Sequence, residues 1–160
     1  VPGPGGSIAL GSDHAGLAIK REVASKLSML GRKFIDLGTN SDASVDYPDF
    51  AAAVSEGVAA GQHELGILVC GTGIGMSIAA NKVPGIRAAL CDNELEAQLA
   101  RAHNDANVLC LGGRIVGPAL AGAIVERFLT TSFEGGRHQG RLDKIAALQR
   151  QSGQARKDSP

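Results

Sequence analysis

The sequence predicts an α/β protein in which helices cover both faces of one five-stranded parallel sheet, and three observations carry that expectation. Short apolar runs of β character recur five times along the chain. The segments between them are long enough for helices, and most carry apolar residues three or four positions apart. The run LGILVC (65–70) is apolar throughout rather than alternating, as suits a strand covered on both faces. Parallel neighbours need long crossovers, and helices supply them.

Taken in order, SIALGS (7–12) is the first strand. The helix after it places Ile19, Val23, Leu27 and Leu30 on one face and stops at Gly31. KFIDLG (33–38) is the second strand, followed by a loop rich in Asp, Ser and Asn. The second helix begins near Tyr47, with Pro48 in its first turn and Phe50, Val54 and Val58 as its buried stripe. After the third strand (65–70) a short helix is expected over 74–81, and IRAALC (86–91) is the fourth strand. NELEAQLARAHN predicts a helix with Leu95, Leu99 and Ala102 on its apolar face, and NVLCLGG (107–113) is the fifth strand. Two further helices follow: GPALAGAIVERFL, with Pro118 near its start, and HQGRLDKIAALQRQ, with Leu142, Ile145 and Leu148 at helical spacing. No internal repeat or interior linker interrupts the pattern. Residues 8–150 are therefore expected to form one domain between a flexible leader (1–7) and a disordered tail (151–160).

Hydrophobic residues make up 44% of the chain and charged residues 20%, the balance of a soluble globule. Formal net charge is zero and aromatic residues are 3%, so neither a basic field nor a stacking surface points to nucleic acid. No apolar run reaches the ~18 residues of a membrane span, and the N-terminal VPGPGGS lacks the charged and apolar regions of a signal peptide. Cys70, Cys91 and Cys110 form no CxxC pair and sit in apolar runs, which suits reduced thiols in a cytoplasmic protein. The histidines lie far apart without a ligand-type spacing, so a metal site is not expected.

In open parallel sheets, ligands bind beyond the carboxyl ends of the strands. At those ends this sequence has Asp13 and His14, the loop to Tyr47, the CGTGIG loop, CDN, and GGR with Arg114. Met76 stands where the dinucleotide pattern G-x-G-x-x-G needs a small residue and where a C-x5-R phosphatase signature needs Arg, and no Gly-Lys follows as a Walker loop requires. What remains is a glycine-rich link from strand to helix that offers backbone N–H groups to an anion beside Cys70. Local context gives Cys70 a functional part, whereas Cys91 and Cys110 read as small buried hydrophobes. Other groups keep two readings each. Asp13 suits the N-cap of the first helix as well as a ligand contact. His103 with Asn104 ends a helix, where a histidine complements the dipole. Arg137 and Arg141, one turn apart, are either solvated surface or a phosphate clamp. His63 reads as an exposed turn residue.

Together GSDHAG, DYP, CGTGIGMSIAANK, GIRAAL, ARAHNDANVLCLGGR and EGGRHQGR resemble the type B ribose-5-phosphate isomerases, relatives of the two-chain galactose-6-phosphate isomerases. The resemblance runs over residues 8–150. It implies a Rossmann-like three-layer αβα sandwich, a homodimer or dimer of dimers, no metal and no organic cofactor. It also implies interconversion of ribose 5-phosphate and ribulose 5-phosphate through an enediolate, in the non-oxidative pentose phosphate branch. By position, it makes Cys70 the base, and the loop Gly71, Gly73, Ile74 and Gly75 the backbone cradle of the enediolate oxygens. Thr72 and His103 would serve ring opening, Asn104 would hold a sugar oxygen, and Asp13 would bind sugar hydroxyls. His14, Arg114, Arg137 and Arg141 would contact the phosphate, and Tyr47 would line the pocket. Some members carry Ser at the position of Cys70 and a Glu base at that of Gly75; this chain is of the cysteine type.

His103 and Asn104 precede the fifth strand, so they fall at the opposite end of the sheet from Cys70. A site that uses both is expected to lie between two subunits. Two other readings stay open from sequence: an isomerase of a six-carbon phosphate such as allose or galactose 6-phosphate, and a non-catalytic phosphosugar-binding protein.

Overall fold

A computed structural model describes residues 6–157, apart from the side chains of residues 155 and 156; residues 1–5 of the expected leader and 158–160 of the expected tail lie outside the described residues. The chain runs β1 (Ile8–Ser12), α1 (Leu17–Met29), β2 (Phe34–Asp36), α2 (Tyr47–Ala59), β3 (Leu65–Cys70), α3 (Ile74–Ala80), β4 (Ala88–Leu90), α4 (Glu94–Asn104), β5 (Val108–Gly112), α5 (Pro118–Thr130) and α6 (Arg137–Lys157). All strands are parallel, in the order β2-β1-β3-β5-β4. The three central strands, β1, β3 and β5, are buried along their whole length. The edge strands β2 and β4 shrink to three residues each, shorter than the expected 33–38 and 86–91, because each has a neighbour on one side only.

Alternation along the strands divides their side chains between two cores. Ile8, Leu10, Ile67, Val69, Leu109 and Leu111 pack with Ile19, Val23 and Leu27 of α1, Ala97 of α4, and Ile124 and Phe128 of α5. On the opposite face Ala9, Leu68, Cys70, Val108 and Cys110 pack with Val54 and Val58 of α2 and Met76 and Ala80 of α3. The result is the expected three-layer sandwich. Cys70 ends β3 on the face that α2 and α3 cover.

Two helices present other faces than their apolar spacing suggests. α4 buries Ala97, Ala100, Arg101 and Ala102, and leaves Leu95 and Leu99 exposed. The small alanines let the helix lie close to its neighbours. The buried Arg101 donates to Asp105 at 2.9 Å and to the Ala106 carbonyl at 2.6 Å, with its guanidinium 5.6 Å above the Phe128 ring. α6 buries Leu142 but exposes Ile145 and Leu148 along a groove shared with Pro84 and Ile86. Its helical backbone continues through 151–157, a stretch without apolar periodicity. Near the start of the chain, Ser7 Oγ lies 2.9 Å from Nδ1 of the half-buried His63, and the Ser7 carbonyl accepts the Glu64 N–H.

Lys20 of α1 is 1% exposed, and its ammonium reaches Asp36 at 2.6 Å, Asn40 Oδ1 at 3.0 Å and the Thr39 carbonyl. A buried ammonium needs such partners. They fasten the loop between β2 and α2, which leads on to Val45 and Tyr47. Among the described residues no helix is long and apolar enough to cross a membrane.

Candidate active site

The chain winds from β1 out to β2, then returns past β1 to β3, so the carboxyl ends of β1 and β3 flank the point where the winding reverses. Ser12 pairs with Val69, and the Asp13 N–H donates to the Val69 carbonyl at 3.2 Å, which sets Asp13 beside the end of β3. Asp13 Oδ1 accepts the Gly16 N–H at 2.9 Å. The N-cap of α1 is Gly16, so Asp13 closes the turn ahead of the helix instead of capping it as its sequence position suggests. His14 Nδ1 accepts the Val45 N–H at 3.2 Å, which leaves the proton of the neutral ring on Nε2 as a donor.

Cys70 is 4% exposed, and its Sγ accepts the Gly73 N–H at 3.2 Å. Turning that amide back onto the sulfur takes Gly73 to φ +77°, where a Cβ would also lie 2.5 Å from Leu90 and 2.9 Å from the Leu111 backbone. Gly75 is small for another reason: a Cβ there would lie 2.6 Å from the Tyr47 ring, which rests on the start of α3. With Tyr47 so placed, no glutamate fits at residue 75. Thr72 Oγ1 accepts the Ile74 N–H at 3.3 Å. The Gly113 N–H donates to the Cys70 carbonyl at 2.7 Å and the Arg114 N–H to the Gly71 carbonyl at 2.9 Å, so the end of β5 braces the loop. The Arg114 guanidinium lies against Gly71, where a Cβ would come within 3.3 Å of it. Burial, with Glu96 and Asp92 adding, pushes the Cys91 thiol up to about 12. Complete burial raises that of Cys110 further. Neither thiol can serve as a base near neutral pH.

One rim thus gathers Cys70, Gly71, Thr72, Gly73, Ile74, Gly75, Asp13, Tyr47 and Arg114, with His14 on the adjoining turn. His103, Asn104, Arg137 and Arg141 are elsewhere. α4 ends at Asn104 and delivers the chain to the start of β5, whose far end, Gly112, pairs with Cys70. The length of β5 alone separates those ends by roughly 13 Å. A single chain does not bring Cys70 and His103 together.

At this second location the His103 and His138 rings stack, with centroids 4.2 Å apart and planes at 11°. Glu134 Oε2 lies 3.9 Å from His103 Nε2 and 3.5 Å from His138 Nε2. His138 is buried, and its Nε2 has no hydrogen-bond partner among the described residues. Burial lowers the His138 pKa, the charges of His103, Arg137 and Arg141 lower it further, and Glu134 opposes them. By residue type His103, Glu134 and His138 form a metal-ligand set. A ring nitrogen's lone pair lies in the ring plane, however, and two nearly parallel planes do not converge on one ion. Sequence reasoning passed over His138 and Glu134. Their only signal was position, beside Arg137 and one helical turn apart.

A doubly wound α/β fold, with a thiol on a glycine loop at its switch point and an arginine-flanked imidazole pair at its other edge, belongs to the class of open-sheet α/β proteins that bind ligands beyond the carboxyl ends of their strands. More specifically, the chain belongs to the Ribose/Galactose Isomerase family, whose sequence model matches residues 8–145. It is 49% identical over 142 residues to ribose-5-phosphate isomerase B of Escherichia coli, covering 89% of this chain and 95% of that one. The structure of Clostridium thermocellum ribose-5-phosphate isomerase B matches with a TM-score of 0.90 at 51% identity, covering 91% of this chain and 99% of the other. Mycoplasma genitalium ribose-5-phosphate isomerase B, solved with bound ribulose-5-phosphate, matches at 0.86 and 47% identity, covering 90% and 96%.

Proposed function

We propose that this protein interconverts ribose 5-phosphate and ribulose 5-phosphate, with Cys70 as the base, as a cytoplasmic enzyme of the non-oxidative pentose phosphate branch. The observation that carries this reading is Cys70 Sγ held by the Gly73 N–H on a loop whose geometry requires glycine. Likeness along most of the chain to ribose-5-phosphate isomerases supports it.

The reaction moves a proton from C2 of the open aldose to C1, while a second proton passes from O2 to O1. A sugar C–H is a very weak acid, so charge on the enediolate oxygens must be met as it forms. Backbone N–H groups of the Gly71–Gly75 loop meet it, and the Cys70 thiolate takes the proton from C2 and returns it to C1. Base and oxyanion donors both come from the chain, so this step calls for neither metal nor organic cofactor. Before it, the furanose must open. His103 and Thr72 handle that proton traffic, Asn104 holds a sugar oxygen, and Asp13 holds hydroxyls. Tyr47 lines the pocket, while His14, Arg114, Arg137 and Arg141 receive the phosphate.

Because His103, Asn104, Arg137 and Arg141 lie across the sheet from Cys70, the working site joins two subunits of a homodimer or of a dimer of dimers. Ile74 and Ile78 of α3 and Ile115 after β5 are exposed near the Cys70 loop and offer apolar surface to a partner copy.

In deuterium oxide the wild-type protein is expected to turn over ribose 5-phosphate and leave solvent deuterium at C1 of the ketose. Cys70→Ala is expected to lose roughly 10²–10⁴-fold of that rate. A wild-type protein that neither isomerises nor exchanges overturns the enzyme reading. Faster turnover of allose 6-phosphate than of ribose 5-phosphate overturns the substrate.

A further inference from the structure

We propose that His138 is a positioning residue for ring opening, holding the His103 imidazole at one fixed orientation by face-to-face stacking. The inference rests on the reading of His103 as the group that handles the ring-oxygen proton.

His103 sits on the last turn of α4 with its side chain 36% exposed, so its own helix leaves the ring free to turn. His138 is its opposite: 6% exposed, and seated on backbone that is itself tied down. The Glu134 N–H donates to the Ala102 carbonyl at 3.0 Å, which moors the approach to α6 directly onto α4 beside His103. The His138 N–H then donates to the Gly135 carbonyl at 3.0 Å. A buried ring on a moored backbone makes a flat shelf, and His103 lies on it at 4.2 Å. Restricting that ring before the substrate arrives removes an ordering cost from the reaction step.

The shelf also limits the charge the pair can carry. Two imidazolium rings in face-to-face contact repel, so the stacked pair resists carrying two positive charges at once. The groups facing His138 are His103 from α4, Glu134 ahead of α6, and Arg137 and Arg141 on α6 itself. Burial first, then His103 and the two arginines, disfavour charge on His138, with Glu134 opposing them. Glu134 Oε2 lies 3.9 Å from His103 Nε2, at the open side of the pair.

The substrate pair allows a selective test. In ribose 5-phosphate, O4 closes a furanose on C1. Opening breaks C1–O4, removes the proton from O1 and delivers one to O4, leaving the C1 aldehyde. In ribulose 5-phosphate O5 carries the phosphate, so no five-membered ring can close on C2. Exchange of its C1 hydrogen with solvent deuterium therefore bypasses ring opening: it keeps the phosphate contacts and the Cys70 base and dispenses with the ring-oxygen proton that His103 handles.

His138→Ala is expected to slow ribose 5-phosphate turnover about tenfold or more, while deuterium exchange into C1 of ribulose 5-phosphate keeps its wild-type rate. His138→Phe restores the flat surface and is expected to recover most of the turnover. If the alanine variant does not fold, His138→Gln, which removes the ring but fills much of its space, carries the same expectation. Parallel loss of both reactions overturns the proposal, because it marks a structural or phosphate-binding role. Unchanged ribose 5-phosphate turnover in the ring-deleted variant also overturns it. A wild-type protein that fails to exchange ribulose 5-phosphate instead defeats the isomerase reading beneath it.

Discussion

Gly73 and Gly75 stand two positions apart in the loop that holds Cys70, yet the structure asks different things of them. Gly73 occupies the left-handed region at φ +77°, with the Leu111 backbone 2.9 Å from where a Cβ would sit. Backbone cannot retreat as a side chain can. Gly73→Ala is expected to cost about 2–4 kcal/mol of stability, read as a lowered urea midpoint. At Gly75 the obstacle is the partly exposed Tyr47 ring, which can swing outward. Alanine is also the better helix former there, by up to ~1 kcal/mol. Gly75→Ala is therefore expected to hold or raise the midpoint while raising the KM for ribose 5-phosphate, because Tyr47 leaves the pocket wall. An unchanged KM removes Tyr47 from the site. The string CGTGIG was enough to mark the loop. The separate reasons for its glycines were not legible, because they belong to Leu90, Leu111 and Tyr47, which only the fold brings near.

The elements that depart furthest from sequence expectation are α4 and α6, and both misreadings have one cause. Apolar spacing selects the largest hydrophobic residues as the buried face, so Leu95, Leu99, Ile145 and Leu148 looked like core. α4 instead turns its alanines inward and buries Arg101 among Asp105, Ala106 and Phe128, an arrangement without a hydrophobic period. α1 and α2, whose packing follows apolar periodicity, and β3, apolar throughout and buried on both faces, match the sequence expectation. The contact between α4 and α6 also carries a pH dependence. The His138 pKa in the folded protein lies below its ordinary value of 6.5, chiefly through burial. Below that value the unfolded chain takes up a proton that the folded protein resists, so stability rises with pH across the window. The contribution is present above 6.5 and is lost as the pH falls through the folded value. Between about pH 7.5 and about pH 5.5 the wild-type urea midpoint is expected to fall further than that of His138→Phe, which has no proton to gain there. Equal falls in the two proteins contradict the assignment.

At the scale of the whole molecule the decisive feature is the distance between two half-sites. A parallel sheet fixes it: any helix feeding a strand ends at the amino edge, and any loop leaving a strand starts at the carboxyl edge. Cys70 leaves β3 and His103 feeds β5, so side-chain motion within one chain cannot close the gap. Element order alone dictates that gap. In the two-fold dimer we propose, the residue missing from one subunit's rim is supplied by the other, and reciprocally. That reciprocity makes a sharp expectation for mixtures. Cys70→Ala and His103→Ala are each expected to be nearly inactive on ribose 5-phosphate. Co-expressed, they assemble in part as mixed dimers, in which one site has lost both groups and the other has kept both. Random pairing then restores about a quarter of wild-type turnover. If the two groups worked within one chain, every site in the mixture would lack one of them. No activity would return, even with mixed dimers demonstrated by native mass spectrometry. Recovery near the random-pairing value, with dimers confirmed by sedimentation, ties catalysis to the pairing of subunits, because no isolated chain of this topology holds both groups at one sugar.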